Sequence, residues 1–505
     1  MLKSNGSLPV IVQNSGGNDA AVAKQHAAGK LTARERVDFL FDADSFIEIE
    51  PNSTARITDL NISPRMEPGD GVISGCGTIR GRQVCAAVQD FPVMGGSLGE
   101  VHARKIKKAL SLAMKSGIPF IYIIDSAGFR IGEGLDALAE FSGFLSLFSQ
   151  ASGVIPLITV VSGPCIGSAA LPAALSDFVF MSGAGSFVCM TSAPVIRAVT
   201  GETSSDEAIG GREAQMAAGF AHFIGDTEEE TLANVQTLLS YLPDNHMSDP
   251  ELTDGSESGS LDDSILSSGS VTDMVPVLKG LSDGGEWFEV QSGYAPGLIT
   301  GFARLGGYAA GFVANQPAVD QGLLDGRAAA KAARFVRFCD AFNIPLITVC
   351  DTAGVKAGTD QERSGIVLQM AKLTYALAEA TIPRIGLVTG KINGIAQLVL
   401  NSRQTGADMI FAWPSAALGI LPDETAVSIL YRDKLASADE YKEERLLKLK
   451  EYQDSVSGPM AAAYGGHIDE VIPPSRTRNR IIAALQILRG KQENRPAKKH
   501  DNIPL

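Results

Sequence analysis

Short apolar runs alternate with helically spaced stretches along most of the chain. "FIYIID" (120–125), "LITVVSG" (157–163) and "FVFMSG" (178–183) are continuous apolar segments of strand length. "KIKKALSLAMKSG" (105–117) instead places its apolar residues three and four apart, as one face of a helix does. Strands alternating with helices predict an α/β fold built from βαβ units. In such folds ligands gather where strands end and helices begin, because free backbone N–H groups point outward there. "LTARERVDFLF" (31–41) opens another helix, with Thr32 and Glu35 at capping-box spacing.

The same pattern is written twice. "IYIIDSAG" (121–128) returns as "ITVCDTAG" (347–354), 226 residues later, and the same offset carries "GVISGCGTIRGR" (71–82) onto "GLITGFARLGGY" (297–308). Lys105 then falls on Lys331 and Gly128 on Gly354. With one further residue of offset, "VIPLITVVSGPCIGSAA" (154–170) lies over "TIPRIGLVTGKINGIAQ" (381–397), pairing Gly163 with Gly390 and Gly167 with Gly394. Copies of this length are duplicated domains, since solenoid units recur every few tens of residues. The expected organisation is an N-terminal domain over 1–247, a linker over 248–280 and a C-terminal domain over 281–505. The linker reading rests on "SDPELTDGSESGSLDDSILSSGS" (248–270), rich in Ser, Gly and Asp.

Composition narrows the function. With 45% hydrophobic and 20% charged residues, the chain has the balance of an ordinary globular protein. A formal charge of −14 argues against nucleic acid and anionic membranes as partners, and leaves room for a local basic patch. "HARKIKK" (102–108) is such a patch, and Arg104, Lys105, Lys107 and Lys108 are its candidates for phosphate binding. The six cysteines have no paired spacing and the six histidines no ligand-like cluster, so neither a disulfide nor a metal site is expected. Without an apolar leader or a run of about 18 apolar residues, a cytoplasmic location is expected.

The repeated glycine turns are the strongest chemical signal. "DSAGFRIGEG" (125–134) and "GPCIGSAALP" (163–172) follow two strands of the first copy. If the amides of Phe129 and of Ser168 or Ala169 converge, they form an oxyanion hole, with Gly128 and Gly167 allowing the close backbone approach. In the second copy, "DTAGVKAGTD" (351–360) and "GKINGIAQLV" (390–399) offer Val355 with Ile395 or Ala396, beside Gly354 and Gly394. Ordinary strand-to-helix turns would read the same way in one copy alone. Two holes imply two carbonyl-bearing substrates and a group moved between them. Asp125, Glu133 and Asp351 are candidate acids, although a carboxylate ending a strand more often caps the next turn. His102 and His222 lack a serine-nucleophile context.

Several stretches in order, "GKLTARERVDFLFD" (29–42), "QDFPVMGGSLGEVHARKI" (89–106), "ASGVIPLITVVSGPCIGSAALPAALSDFVFM" (151–181) and "NQPAVDQGLLDGRAAAKAARFVRFCDAFNIPLITVCDTAG" (315–354), resemble the biotin-dependent carboxyltransferase subunits of acyl-CoA carboxylases. The resemblance implies two crotonase-like ββα superhelix domains and a ring-shaped homohexamer, with sites formed between the N-domain of one subunit and the C-domain of another. It implies acyl-CoA on the first copy, and on the second biotin borne by a separate biotin carboxyl carrier protein. Carboxyl transfer between carboxybiotin and a short-chain acyl-CoA of the propionyl-CoA/methylmalonyl-CoA type is the activity it implies. The further partner is a biotin carboxylase or, for a sodium-pumping decarboxylase, a membrane decarboxylase subunit. Ser168 and Ile395 stand where relatives commonly carry glycine, and Leu398 where they often carry aspartate, which alters the acyl pocket. If the Ile395 amide serves biotin, its side chain is expected to point into the protein. A catalytically weak CoA-binding assembly subunit is the remaining alternative.

Overall fold

The computed structural model describes residues 17–56, 67–183, 185–256, 261–268, 271–437 and 441–504. Backbone contacts divide the chain into two units, Met1–Thr237 and Leu238–Leu505.

In the first unit, helices α1 (Asp19–Ala27) and α2 (Ala33–Leu40) precede the sheet. Thr32 caps α2 by accepting the Glu35 amide, while the Glu35 carboxylate accepts the Thr32 N–H, so the capping box is formed. Seven strands follow in the order β1 (Ile47–Glu48), β2 (Val72–Ile79), β3 (Arg82–Gln89), β4 (Phe120–Ile124), β5 (Leu157–Val161), β6 (Phe178–Ser182) and β7 (Phe223–Gly225). The first three are antiparallel and the rest join in parallel. Helices α3 (Glu100–Ser116) and α4 (Gly134–Ala151) make the crossovers into β4 and β5. β4 and β5 are buried along their whole length, which explains why they read as unbroken apolar runs rather than alternating ones. Phe141, Phe144 and Phe148 of α4 pack on Phe129, Tyr122 and Phe120.

The second unit repeats the plan. β8 (Phe288–Val290), β9 (Leu298–Leu305) and β10 (Tyr308–Asn315) are antiparallel; β11 (Leu346–Thr352), β12 (Arg384–Asn393), β13 (Met409–Ala412) and β14 (Glu470–Val471) continue in parallel. Helices α5 (Gly326–Ala341) and α6 (Ile366–Glu379) are the crossovers, and α7 (Ile395–Leu400) follows β12. The hairpin turns also match: Arg80–Gly81 and Gly306–Gly307 all have positive φ, the geometry of a two-residue turn whose twist suits the strands.

Two sequence expectations change here. Within 248–280, where residues 257–260 and 269–270 lie outside the described residues, the described part is more than a spacer: Leu261, Val271, Met274, Val277 and Leu278 enter the second unit's core. A Ser/Gly/Asp-rich composition hides such isolated apolar anchors. The cysteines are not all free either: Cys76 and Cys85 form a disulfide. They are direct partners across β2 and β3, with Cα atoms 4.0 Å apart. Spacing along the chain does not reveal that register. The second unit fills the equivalent pair with Phe302 opposite Gly311.

A buried lysine braces each unit. The Lys105 ammonium donates to the carbonyls of Gly69 and Val72 at 3.0 and 2.7 Å. Lys331 does the same with Gln291, Tyr294 and Leu298 at 3.0, 2.9 and 2.8 Å. Each thereby pins the chain entering the long hairpin. Burial pulls both lysines down to about 8. Between that value and the ordinary 10.5 the unfolded chain binds protons the folded chain does not, so their effect is to raise stability as pH rises through this window. Urea unfolding at pH 7.5 and 9.5 checks this: wild type is expected to gain stability relative to Lys331→Met at the higher pH, and an unchanged difference would contradict it.

Candidate functional site

The first unit's site is built at the carboxyl ends of β4 and β5. After β4 the chain turns through Asp125, Ser126 and Gly128, whose φ of 105° suits glycine. Leu98 donates its N–H to the Gly128 carbonyl and accepts from the Arg130 N–H, both at 2.9 Å. Phe129, between them, therefore faces its own N–H away from Leu98. Its ring is held edge-on against Phe141, and its amide has no partner among the described residues. The Ser126 N–H donates to the Pro164 carbonyl at 3.0 Å, which ties this turn to the one after β5. There Gly167, at φ 66°, opens a single turn of 3₁₀ helix over Gly167–Ala170 that contains Ser168 and buried Ala169.

The second unit repeats these bonds. Leu324 donates to the Gly354 carbonyl at 3.0 Å and accepts from the Lys356 N–H at 2.8 Å, leaving the Val355 amide turned outward and unpartnered among the described residues. Gly354 has a φ of 128°, and a Cβ there would lie 3.5 Å from the Asn393 carbonyl, so the turn sits against the end of β12. Gly394, at φ 57°, starts α7, whose first-turn amides at Ile395 and Ala396 have no partner among the described residues. The Ile395 side chain is 54% exposed, so the expected inward orientation is not found. The reason is helical phase: Ala396, Val399 and Leu400 form the buried face of α7, which leaves Ile395 and Leu398 outside.

The candidate acids differ sharply. Asp125 is fully buried and accepts from Gln25 at 3.0 Å, Lys30 at 2.6 Å and Arg36 at 2.9 Å. Arg36 also forks onto Glu228 at 2.7 and 2.9 Å. A carboxylate so saturated holds the turn. Glu133 is likewise engaged, by Arg130 and by the Glu100 amide. Among the described residues the Asp351 carboxylate accepts only the Lys391 N–H, at 3.0 Å, and burial raises its pKa. Both aspartates explain a glycine pair: a Cβ at Gly163 would lie 2.0 Å from Asp125 Oδ1, and one at Gly390 2.3 Å from Asp351 Cγ. The Asp125 cluster escaped sequence reasoning, since Arg36 sits in a helix whose charges look like a solvated face.

Neither histidine supplies a base. His102 is enclosed between the Asp70 carbonyl and Gln89, and burial pushes it down to about 3; buried His222 accepts the Val179 amide. The basic patch divides. Lys105 is corrected from phosphate ligand to buried brace, because its ammonium is spent on backbone carbonyls. Arg104, Lys107 and Lys108 line an open cavity of about 450 Å³ between α3 and α4. Lys108 and Arg104 lean on Glu50, and Lys107 on Glu140.

Residues 24–503 match the carboxyl transferase domain family. The chain belongs to that family. This carboxyltransferase is 44% identical to the propionyl-CoA carboxylase beta chain of Saccharopolyspora erythraea, over 97% of this chain and 93% of the relative. It is 43% identical to the methylmalonyl-CoA decarboxylase subunit alpha of Veillonella parvula, over 97% and 96%. Among solved structures, transcarboxylase 12S, a hexamer with hydrolyzed methylmalonyl-coenzyme A bound, superposes with a TM-score of 0.92 at 40% identity, covering 97% of this chain and 96% of that one. The crotonase-like carboxyltransferase fold expected from the sequence is therefore the fold of this chain. No helix among the described residues is long and apolar enough to cross a membrane.

Proposed function

We propose that the chain is the carboxyltransferase subunit of a biotin-dependent system, moving a carboxyl group between biotin on a separate carrier protein and a short-chain acyl-CoA of the propionyl-CoA/methylmalonyl-CoA type. The observation that carries this reading is the duplicated turn with an outward amide that has no partner among the described residues, at Phe129 in one unit and Val355 in the other. A thioester and a urea each present one carbonyl oxygen that gains negative charge, and each needs fixed donors. Phe129 with Ser168 or Ala169 would serve the thioester oxygen. Val355 with Ile395 or Ala396 would serve the ureido oxygen, and the free first-turn amides of α7 fit that group. The Ile395 side chain faces outward, against the orientation expected if its own amide served biotin, so Ala396 is the better candidate of the two.

Biotin, when bound, supplies a ureido nitrogen that exchanges its proton for the carboxyl group, the acyl α-carbon taking that proton in return. No side-chain base is then required, in keeping with the saturated Asp125 and the buried histidines. The protein's share is positioning and stabilisation of charge. The hexamer of transcarboxylase 12S supports a hexameric assembly; a cytoplasmic location and service by a biotin carboxyl carrier protein and a biotin carboxylase are what the family resemblance implies. The decarboxylase alpha relative, at 43% identity, supports a second reading, a decarboxylase, for which the family resemblance implies a membrane decarboxylase subunit as partner.

Incubation of the purified protein with methylmalonyl-CoA, with and without free biotin, tests the proposal. Biotin-dependent release of propionyl-CoA is expected. Turnover indifferent to biotin would point to crotonase-type chemistry, and no turnover to an assembly role. The cavity beside α3 suits the phosphates of coenzyme A. Reversing Lys107 and Lys108 to glutamate is expected to raise the CoA dissociation constant about five- to tenfold, given the modest worth of exposed charges. An unchanged constant in the folded double variant would return the patch to a solvated face.

A further inference from the structure

Lys391 is the one exposed position of β12 and lies three residues before Gly394. Its backbone N–H is anchored on Asp351, the residue that begins the turn to Gly354 and Val355. Its side chain has no hydrogen bond or ion pair among the described residues. The other cation of these two turns, Lys356, is bound to Asp320. The ammonium is nonetheless close enough to Asp351 for its charge to favour the buried carboxylate, against the desolvation that raises that group's pKa.

Among the described residues, the turns of the first unit offer no such cation. Pro164 stands at the position equivalent to Lys391. Lys30 and Arg36 there are spent on Asp125, and Arg130 on Asp70 and Glu133. Within an otherwise duplicated pair of turns, a free cation among the described residues survives only beside the second. We infer that Lys391 is a binding group for the carboxylate being transferred, engaging it at the second unit's turn, with Asp351 as its positioning residue. The inference rests on the carboxyltransferase reading and adds a residue to it. Lys391 forms no covalent bond in this role; its ammonium donates to a carboxylate oxygen, and the charge matches an anion that neither set of turn amides addresses.

Steady-state kinetics with methylmalonyl-CoA and biocytin, combined with lysine footprinting, test it. Lys391→Met is expected to lower kcat about 10- to 100-fold, the worth of one hydrogen bond to a charged group. Its KM for biocytin, which carries no transferable carboxylate at the start, is expected to stay within about twofold, and Lys391→Arg to retain most of the rate. Independently of activity, brief acetic anhydride labelling followed by mass spectrometry should show Lys391 protected when methylmalonyl-CoA and biocytin are both present, and unprotected with propionyl-CoA and biocytin. A wild-type kcat in Lys391→Met, or equal labelling under both conditions, would overturn the assignment. A fall in kcat without protection would reduce Lys391 to a structural role and overturn it as well. If the wild type itself shows no biotin-dependent turnover, the carboxyltransferase reading fails and this one with it.

Discussion

Replacing Arg36 with methionine is expected to destabilise the first unit by about 3–5 kcal/mol, the cost of breaking a buried ion pair from one side. Arg36 is fully buried and answers two carboxylates, Asp125 and Glu228, which are themselves enclosed. Lys30 and Gln25 still reach Asp125 in the variant, but no side chain remains on Glu228 among the contacts described. The chain must then bury an uncompensated charge or open to hydrate it. Arg36→Lys is expected to recover only part of the loss, because an ammonium lacks the planar fork that spans both partners. Urea unfolding followed by far-UV circular dichroism, resolving the earlier transition, measures it. A loss below about 1 kcal/mol would mean that the cluster is hydrated and that the surface value applies instead.

The largest effect on activity is expected from Ala396→Pro. Proline deletes the amide of the second residue of α7 while remaining compatible with a first helical turn. If that amide stabilises the ureido oxygen, biotin-dependent turnover is expected to fall about 10²- to 10³-fold, the worth of one oxyanion-hole donor. Affinity for acyl-CoA should be nearly unchanged if, as proposed, the thioester is held by the first unit's turns. Ala396 is fully buried, so a thermal melt must accompany the kinetics to show that the ring is accommodated. Ile395→Gly is the complementary variant. With its side chain outside, the change removes no core contact and keeps the amide, so turnover should be retained. Full activity in folded Ala396→Pro would place the second hole elsewhere.

Much of this was legible in the chain. The 226-residue echo announced two copies of one unit, and the structure matches them strand for strand, down to the hairpin turns at Arg80–Gly81 and Gly306–Gly307. Buried parallel strands leave a strong mark because both faces must be apolar, and β4, β5 and β6 were readable for that reason. The Thr32 capping box was readable because capping is local.

What the sequence determined by itself was whatever depends on near neighbours or on repetition: the α/β class, the duplication, the glycine turns and the resemblance that names their chemistry. Tertiary structure alone decided which charges are buried and what they meet. Lys105 and Lys108 look alike in "HARKIKK", yet one braces a hairpin from within and the other lies on the surface with Glu50. Asp125 and Asp351 occupy equivalent positions, yet only the first is ringed by cations among the described residues, because α1, α2 and the turn between them carry Gln25, Arg36 and Lys30 to it from about 90 to 100 residues away. Cys76 meets Cys85, and Ile395 turns outward, through strand register and helical phase. Burial and pairing are properties of where distant segments meet, and a pattern read along one dimension carries no record of that meeting.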